Sequence, residues 1–192
     1  MKNSPRLNLQ FLDATKAAQV RNAFMEKFVM TKNEFQTIHK SWLDDLQKRG
    51  RVFKYEEALM WDRMPTYQDI SFEKAIKFLK TYNKDVLFMS ENENCPTEHS
   101  LMWKGKEYKS FVAKTNSKDL ASLIHYEWYK VWELISKDMY STNYILPYDI
   151  YVFNQDMQFM IVFTHENDNW EAEIDEPMKA ADARVCIAYG IK

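Results

Sequence analysis

The chain has 192 residues, 26 Lys and Arg against 28 Asp and Glu, and twelve Phe, eleven Tyr and six Trp but only three Gly. At about 100–200 residues per domain this is one domain, and its aromatic supply makes a core that needs no disulfide or metal staple. A net charge of −2 excludes a global pull toward nucleic acid or an anionic membrane, and three isolated glycines exclude the Gly-rich loops that cradle phosphate.

The first half reads as helix. Asp13 to Met30 carries Ala17, Val20, Phe24 and Phe28 at helical spacing. Thr31-Lys32-Asn33-Glu34 has the form of a capping box, with the Thr hydroxyl and the Glu carboxylate each serving an N–H of the other residue. It opens a second helix whose buried stripe is Phe35, Ile38, Trp42 and Leu46 and which ends at Gly50. Tyr55 to Asp62 predicts a short helix stopped before Pro65. Ser71 caps another, with Phe72, Ile76 and Leu79 facing inward.

The pattern then shifts to strands. Asp85 to Met89 (DVLFM) is one, residues 91–100 (ENENCPTEHS) are a polar loop, and Glu107 to Lys114 (EYKSFVAK) follows a turn at Gly105. Ser117 caps a long hydrophobic helix reaching about Met139. Asp149 to Phe153 (DIYVF), a turn at Asn154-Gln155-Asp156, and Met157 to His165 (MQFMIVFTH) form an antiparallel hairpin. Both faces of its strands are apolar, which places it centrally in a covered sheet. Arg184 to Tyr189 is the last strand. The expected fold is α+β: a single domain, 1–192, with a helical part at 1–66 and an α+β core at 67–192. A mostly antiparallel sheet of about four or five strands packs on the long helix.

Charge is unevenly spread. Residues 1–60 carry eleven Lys and Arg against seven Asp and Glu, a net of +4, whereas residues 117–192 carry six against thirteen, a net of −7. Six of the eleven residues from Glu166 to Glu176 are acidic, with Trp170 in their midst. Trp170, Glu171, Glu173, Asp175 and Glu176 are the candidate binding residues: clustered carboxylates speed the approach of a basic partner, and Trp is a favoured interface anchor. The competing account is a solvated connection after the hairpin, which is what charge runs usually are.

Three residues are candidates for acid–base chemistry. His165 and Glu166 end the hairpin, His165 on the face of Phe159, Ile161 and Phe163. Glu127 falls between Leu120, Leu123, Val131 and Leu134 on the long helix, so a buried position would demand a partner or a raised pKa. Each has a plainer account, a rim histidine or a structural ion pair. Cys95 and His99 resemble half of a zinc site, which His165 and Cys186 would have to complete. The second tight ligand pair of a structural site is missing, so no metal and no cofactor is expected. No nucleophile motif is present.

The run Lys48-Arg49-Gly50-Arg51-Val52-Phe53-Lys54-Tyr55 mixes cations with rings, as single-strand nucleic-acid binders do. Cations complementing a helix C-terminus explain it more simply. Residues 1–12 lack the apolar stretch of a signal peptide, the longest apolar run, Phe159 to Phe163, is too short to cross a bilayer, and two cysteines make no disulfide framework. A cytoplasmic protein without membrane contact is expected.

Ile145 to Glu166 (ILPYDIYVFNQDMQFMIVFTHE) resembles the C-terminal hairpin of small proteins from Gram-positive bacteria that are grouped as a domain of unknown function. Ser71 to Glu91 (SFEKAIKFLKTYNKDVLFMSE) is similar to the middle of such proteins, so the resemblance spans the C-terminal two thirds of the chain. It implies a bacterial, intracellular α+β protein and carries over no site. The function expected from all this is a non-catalytic binding protein, of immunity or regulatory type, engaging a protein partner through the acidic 166–176 segment. The alternatives are a small hydrolase or transferase using His165, Glu127 or Glu166, and nucleic-acid binding through residues 48–54.

Overall fold

Alternation of apolar residues on both faces of the hairpin strands sets the centre of the molecule. The computed structural model describes residues 8–91, 100–134, 144–167 and 184–191. Strands β1 (Gln10–Phe11) and β2 (Gln68–Ile70) are short. They are joined in the main sheet by β3 (Asp85–Met89), β6 (Val112–Asn116), β8 (Ile150–Phe153), β9 (Met160–Asn167) and β10 (Arg184–Tyr189). The order is β1-β6-β3-β8-β9-β10-β2, every pairing antiparallel. A second, small sheet pairs β4 (Leu101–Trp103) with β5 (Lys106–Tyr108) and β7 (Tyr144–Ile145).

The α+β architecture with a mostly antiparallel sheet is as the sequence predicts, and the hairpin is central in it. The main sheet has seven strands rather than four or five, because two-residue and three-residue edge strands close it. Glu107 to Lys114 is not one strand: it breaks at Lys109 and Ser110 into β5 and β6, which belong to different sheets.

Helices cover both faces. Ile150, Val152, Ile161 and Phe163 point to one side, against α4 (Phe72–Tyr82) and α5 (Ser117–Leu134); their partners there include Phe72, Ile76, Leu79, Leu120 and Ile124. Tyr151, Phe153, Met160 and Val162 point to the other, against Phe24 and Phe28 of α1 (Ala14–Phe28) and against Met60 and Met64. Burying such side chains supplies about 1.5–3 kcal/mol each.

The predicted caps at Thr31 and Ser71 form, but Ser117 does not cap α5: its hydroxyl donates to the Leu79 carbonyl and accepts from the Lys84 N–H, and the Asn116 side chain accepts from the Lys118 N–H instead. Asp13 accepts from the N–H of Lys16 at the start of α1. Ser71 does the same for Lys74 on α4, and Asn83 ends α4 in the left-handed conformation. Replacing the α4 cap, Ser71→Ala, is expected to cost about 1 kcal/mol in urea unfolding, with no change in the far-ultraviolet spectrum of the folded chain. An unchanged midpoint would mean that packing of Phe72, Ile76 and Leu79 alone sets the helix start.

Two predicted elements differ. The second helix is split at His39 into α2 (Lys32–Ile38) and α3 (Lys40–Lys48). Tyr55 to Asp62 forms turns ending in a short 3-10 turn, Trp61–Arg63, because its residues make long-range bonds in place of a helical ladder. No helix among the described residues is long and apolar enough to cross a membrane.

Candidate functional site

Two places combine chemistry with geometry: a buried polar centre under α1, and an exposed aromatic arm. The polar centre is set by strand register. Met89 of β3 pairs with Tyr151 of β8, so Glu91, two residues on, lies on the Tyr151 side of the sheet. Glu91 is 1% exposed, and Asp149 and Tyr151 are 0% exposed. The Tyr151 hydroxyl donates to Glu91 Oε2 at 2.6 Å, and the Met60 N–H donates to the same oxygen at 2.9 Å. The Trp61 N–H donates to the Tyr151 hydroxyl oxygen at 3.2 Å. Burial, and then the charges of Glu91 and Asp149, hold the Tyr151 phenol well above its usual pKa. A neutral phenol bonded to a carboxylate is a hydrogen-bond donor and no base. The arrangement fastens the 60–61 backbone to the sheet.

Neighbouring cations serve the same end. Arg21 of α1 donates to the carbonyls of Ser90 and Phe111, at 2.9 and 3.3 Å. Buried Arg63 donates from Nε to the Leu59 carbonyl and lies 4.9 Å over the Tyr55 ring, while its own carbonyl accepts from the Met30 N–H. The Tyr55 hydroxyl donates to the Met30 carbonyl. These bonds pin residues 55–63 between the sheet and the end of α1.

The pinned segment supports the arm. Thr31 and Glu34 make the predicted capping box at the start of α2, and Glu34 is held below the usual carboxylate range by the Thr31 N–H and hydroxyl. Phe35 is buried and stacks on Phe53, ring centroids 4.9 Å apart. Trp42 meets Phe53 edge-on at 5.3 Å, and Tyr55 meets Phe35 at 5.7 Å. The predicted stripe is only partly buried: Ile38 is 64% exposed and Trp42 45% exposed, and α3 has no buried residue. Val52, beside Phe53, is 80% exposed. The physical reason is area. Among the described residues the short segment around Phe53 and Tyr55 covers Phe35, while Ile38 and Trp42 stay largely exposed.

The cations of this surface divide. Arg49 pairs with Asp45 at 2.7 Å and Lys54 with Glu57 at 2.8 Å, whereas Lys48 and Arg51 have no carboxylate partner among the described residues. All four are exposed.

Trp170, Glu171, Glu173, Asp175 and Glu176 lie outside the described residues, as do Cys95 and His99. Glu127 sits on α5 and His165 and Glu166 on β9, with side chains outside what is described. Cys186, on β10, is buried. Among the described residues no group of three His, Cys, Asp or Glu side chains could hold a metal ion. Reading the sequence missed Glu91 and Asp149, which sit at the edges of a polar loop and a strand, and misjudged Ile38 and Trp42. The signal available for the latter was the lack of a second long apolar segment to cover the stripe. Comparison with protein-family models, with curated proteins and with solved structures finds no match.

Proposed function

We propose that this chain is a non-catalytic binding protein, of immunity or regulatory type, that engages another protein through the α2–α3 arm. The observation that carries the reading is the exposure of Trp42 on a ring cluster with Phe35 and Phe53, with Ile38 and Val52, close by in the chain, exposed as well. Large apolar side chains gathered in one exposed patch mark interaction surfaces, because covering them removes apolar area from water. A Trp seated on a rigid aromatic base is a low-entropy anchor. The buried polar groups support the same reading: Glu91, Tyr151, Arg21 and Arg63 are engaged in bonds that hold backbone in place.

The test is site-specific photo-crosslinking in the native host, with a benzophenone side chain at position 42, 52 or 80. Lys80, exposed on α4, is the control. Positions 42 and 52 are expected to give the same discrete protein adduct, and position 80 none. Adducts at all three positions alike, or at position 80 alone, would refute the reading.

A further inference from the structure

We infer that the cleft between α4 and α5 binds a small organic monoanion with an apolar body, a carboxylate joined to a hydrocarbon chain or ring. The inference goes beyond the binding reading above and is independent of it: α4 and α5 cover one face of the main sheet, whereas α1, which leads into the arm, covers the other. On α4, Glu73, Ile76, Lys77 and Lys80 recur at spacings of three and four, so they share one side of the helix. With Phe72 and with His125 of α5 they line a cleft of about 420 Å³, inside the range of about 300–1,000 Å³ typical of small-molecule sites.

Charge divides along the cleft. From Glu73 to Lys80 the helix rises about 10 Å. His125 lies at the Glu73 end, its ring within 17° of parallel to that of Phe72 at a centroid distance of 6.4 Å. Lys77 and Lys80 hold the other end, both exposed and neither with a carboxylate partner among the described residues. The Thr81 hydroxyl beside them already donates to the Lys77 carbonyl at 2.9 Å, so the two ammonium groups are the side-chain donors left for a ligand at that end. Glu73 enters the same balance. With His125 neutral, two cations against one carboxylate give the described lining a net of +1, which a monoanion neutralises and a phosphate dianion exceeds. Glu73 also drives the anionic group toward Lys80, and the two ammonium groups repel a metal cation. Between the ends Phe72 and Ile76 close the floor, and the lysine stems add methylene walls, which is where hydrocarbon gains from leaving water.

The test uses the full chain and four probes: phenylpropionate, its alcohol phenylpropanol, its amine phenylpropylamine, and inorganic phosphate. The first three share one apolar body and differ in head-group charge. Backbone amide shifts in nitrogen-15 NMR read both the affinity and the place of binding. Phenylpropionate is expected to shift the amides of Lys77, Lys80, Thr81 and His125 saturably, with a dissociation constant on the order of 1 mM, as suits so small a ligand. The alcohol is expected to bind more weakly, and the amine and phosphate to leave these amides unmoved. The double variant Lys77→Gln, Lys80→Gln is expected to bind phenylpropionate about tenfold more weakly, and Glu73→Gln about twofold more tightly. Lys48→Gln, Arg51→Gln, away from α4, is expected to bind as the parent does. These exposed sites leave the core untouched, and the amide spectrum itself reports whether each variant is folded. Binding of the alcohol or the amine as tight as that of phenylpropionate overturns the inference, as do shifts gathered elsewhere in the chain. Phosphate moving the same amides while phenylpropionate does not overturns it too, and so does the absence of any saturable shift at about tenfold above the expected constant. None of these outcomes touches the crosslinking result at positions 42 and 52, so the two readings stand or fall separately.

Discussion

Gly190→Ala is expected to destabilise the chain by about 3 kcal/mol or more, among the largest effects of any single methyl group added to it. Gly190 follows β10 with φ +69°, and a Cβ there would stand 2.1 Å from the Gln158 carbonyl oxygen and 3.2 Å from Phe159 Cα. Both neighbours are backbone, so neither can swing aside. The Gln158 and Phe159 N–H groups are themselves held by the Asn154 side-chain oxygen, at 2.7 and 3.2 Å, which stiffens the segment the methyl would strike. The close approach lets the chain turn past the start of β9 and bury Ile191 in the core on the α4–α5 side. Gly105→Ala is the control. Its φ is +76° but nothing lies within 4 Å of the added Cβ, so only the left-handed backbone penalty, about 1–2 kcal/mol, is expected. Urea unfolding of the two variants checks this. Equal losses would mean that the crossing at Gln158 relaxes at no cost.

The contrast between those glycines shows what a sequence carries and what it does not. Both are isolated Gly residues at a strand end or turn, and nothing local separates them; the Gln158 carbonyl does, thirty-two residues away. The hairpin was legible because its information is local. Every residue from Ile150 to Phe153 and from Met160 to Phe163 is apolar or aromatic, which is how a strand covered on both faces must read. The caps at Thr31 and Ser71 were legible for the same reason. The edge strands Gln10–Phe11 and Gln68–Ile70 are too short to show any period, so the width of the sheet was not.

The candidate site was half legible. Helical spacing of Phe35, Ile38, Trp42 and Leu46 says that one face of a helix is apolar, and it cannot say whether anything covers that face. Here the cover stops at Phe53 and Tyr55, and Ile38 and Trp42 stay exposed. Glu91 was hidden by its neighbours. It begins the polar run ENENC, yet the β3–β8 register and the Met60 N–H draw it inside.

That buried glutamate carries the second large effect. Glu91→Leu is expected to cost about 3 kcal/mol, because the Tyr151 hydroxyl and the Met60 N–H lose their acceptor where water does not replace it. Tyr151→Phe leaves the buried carboxylate with one donor fewer and is expected to cost about 2 kcal/mol. The double variant is expected to lose less than the two together, since neither partner is then stranded by the other's removal. Alkaline pH separates this bond from packing. The folded-state pKa of Tyr151 is raised, so above an unfolded-state value of about 10 the unfolded chain releases the phenol proton while the folded chain keeps it. Its contribution is therefore complete below about pH 10 and falls by about 1.4 kcal/mol per pH unit above it, until the folded-state phenol also ionises. The parent chain should lose stability between about pH 10 and pH 11 more steeply than Tyr151→Phe, by up to that slope. Parallel curves for the two would place the Tyr151 hydroxyl in water and dissolve the anchor that holds residues 60–61, and with them the base of the arm, against the sheet.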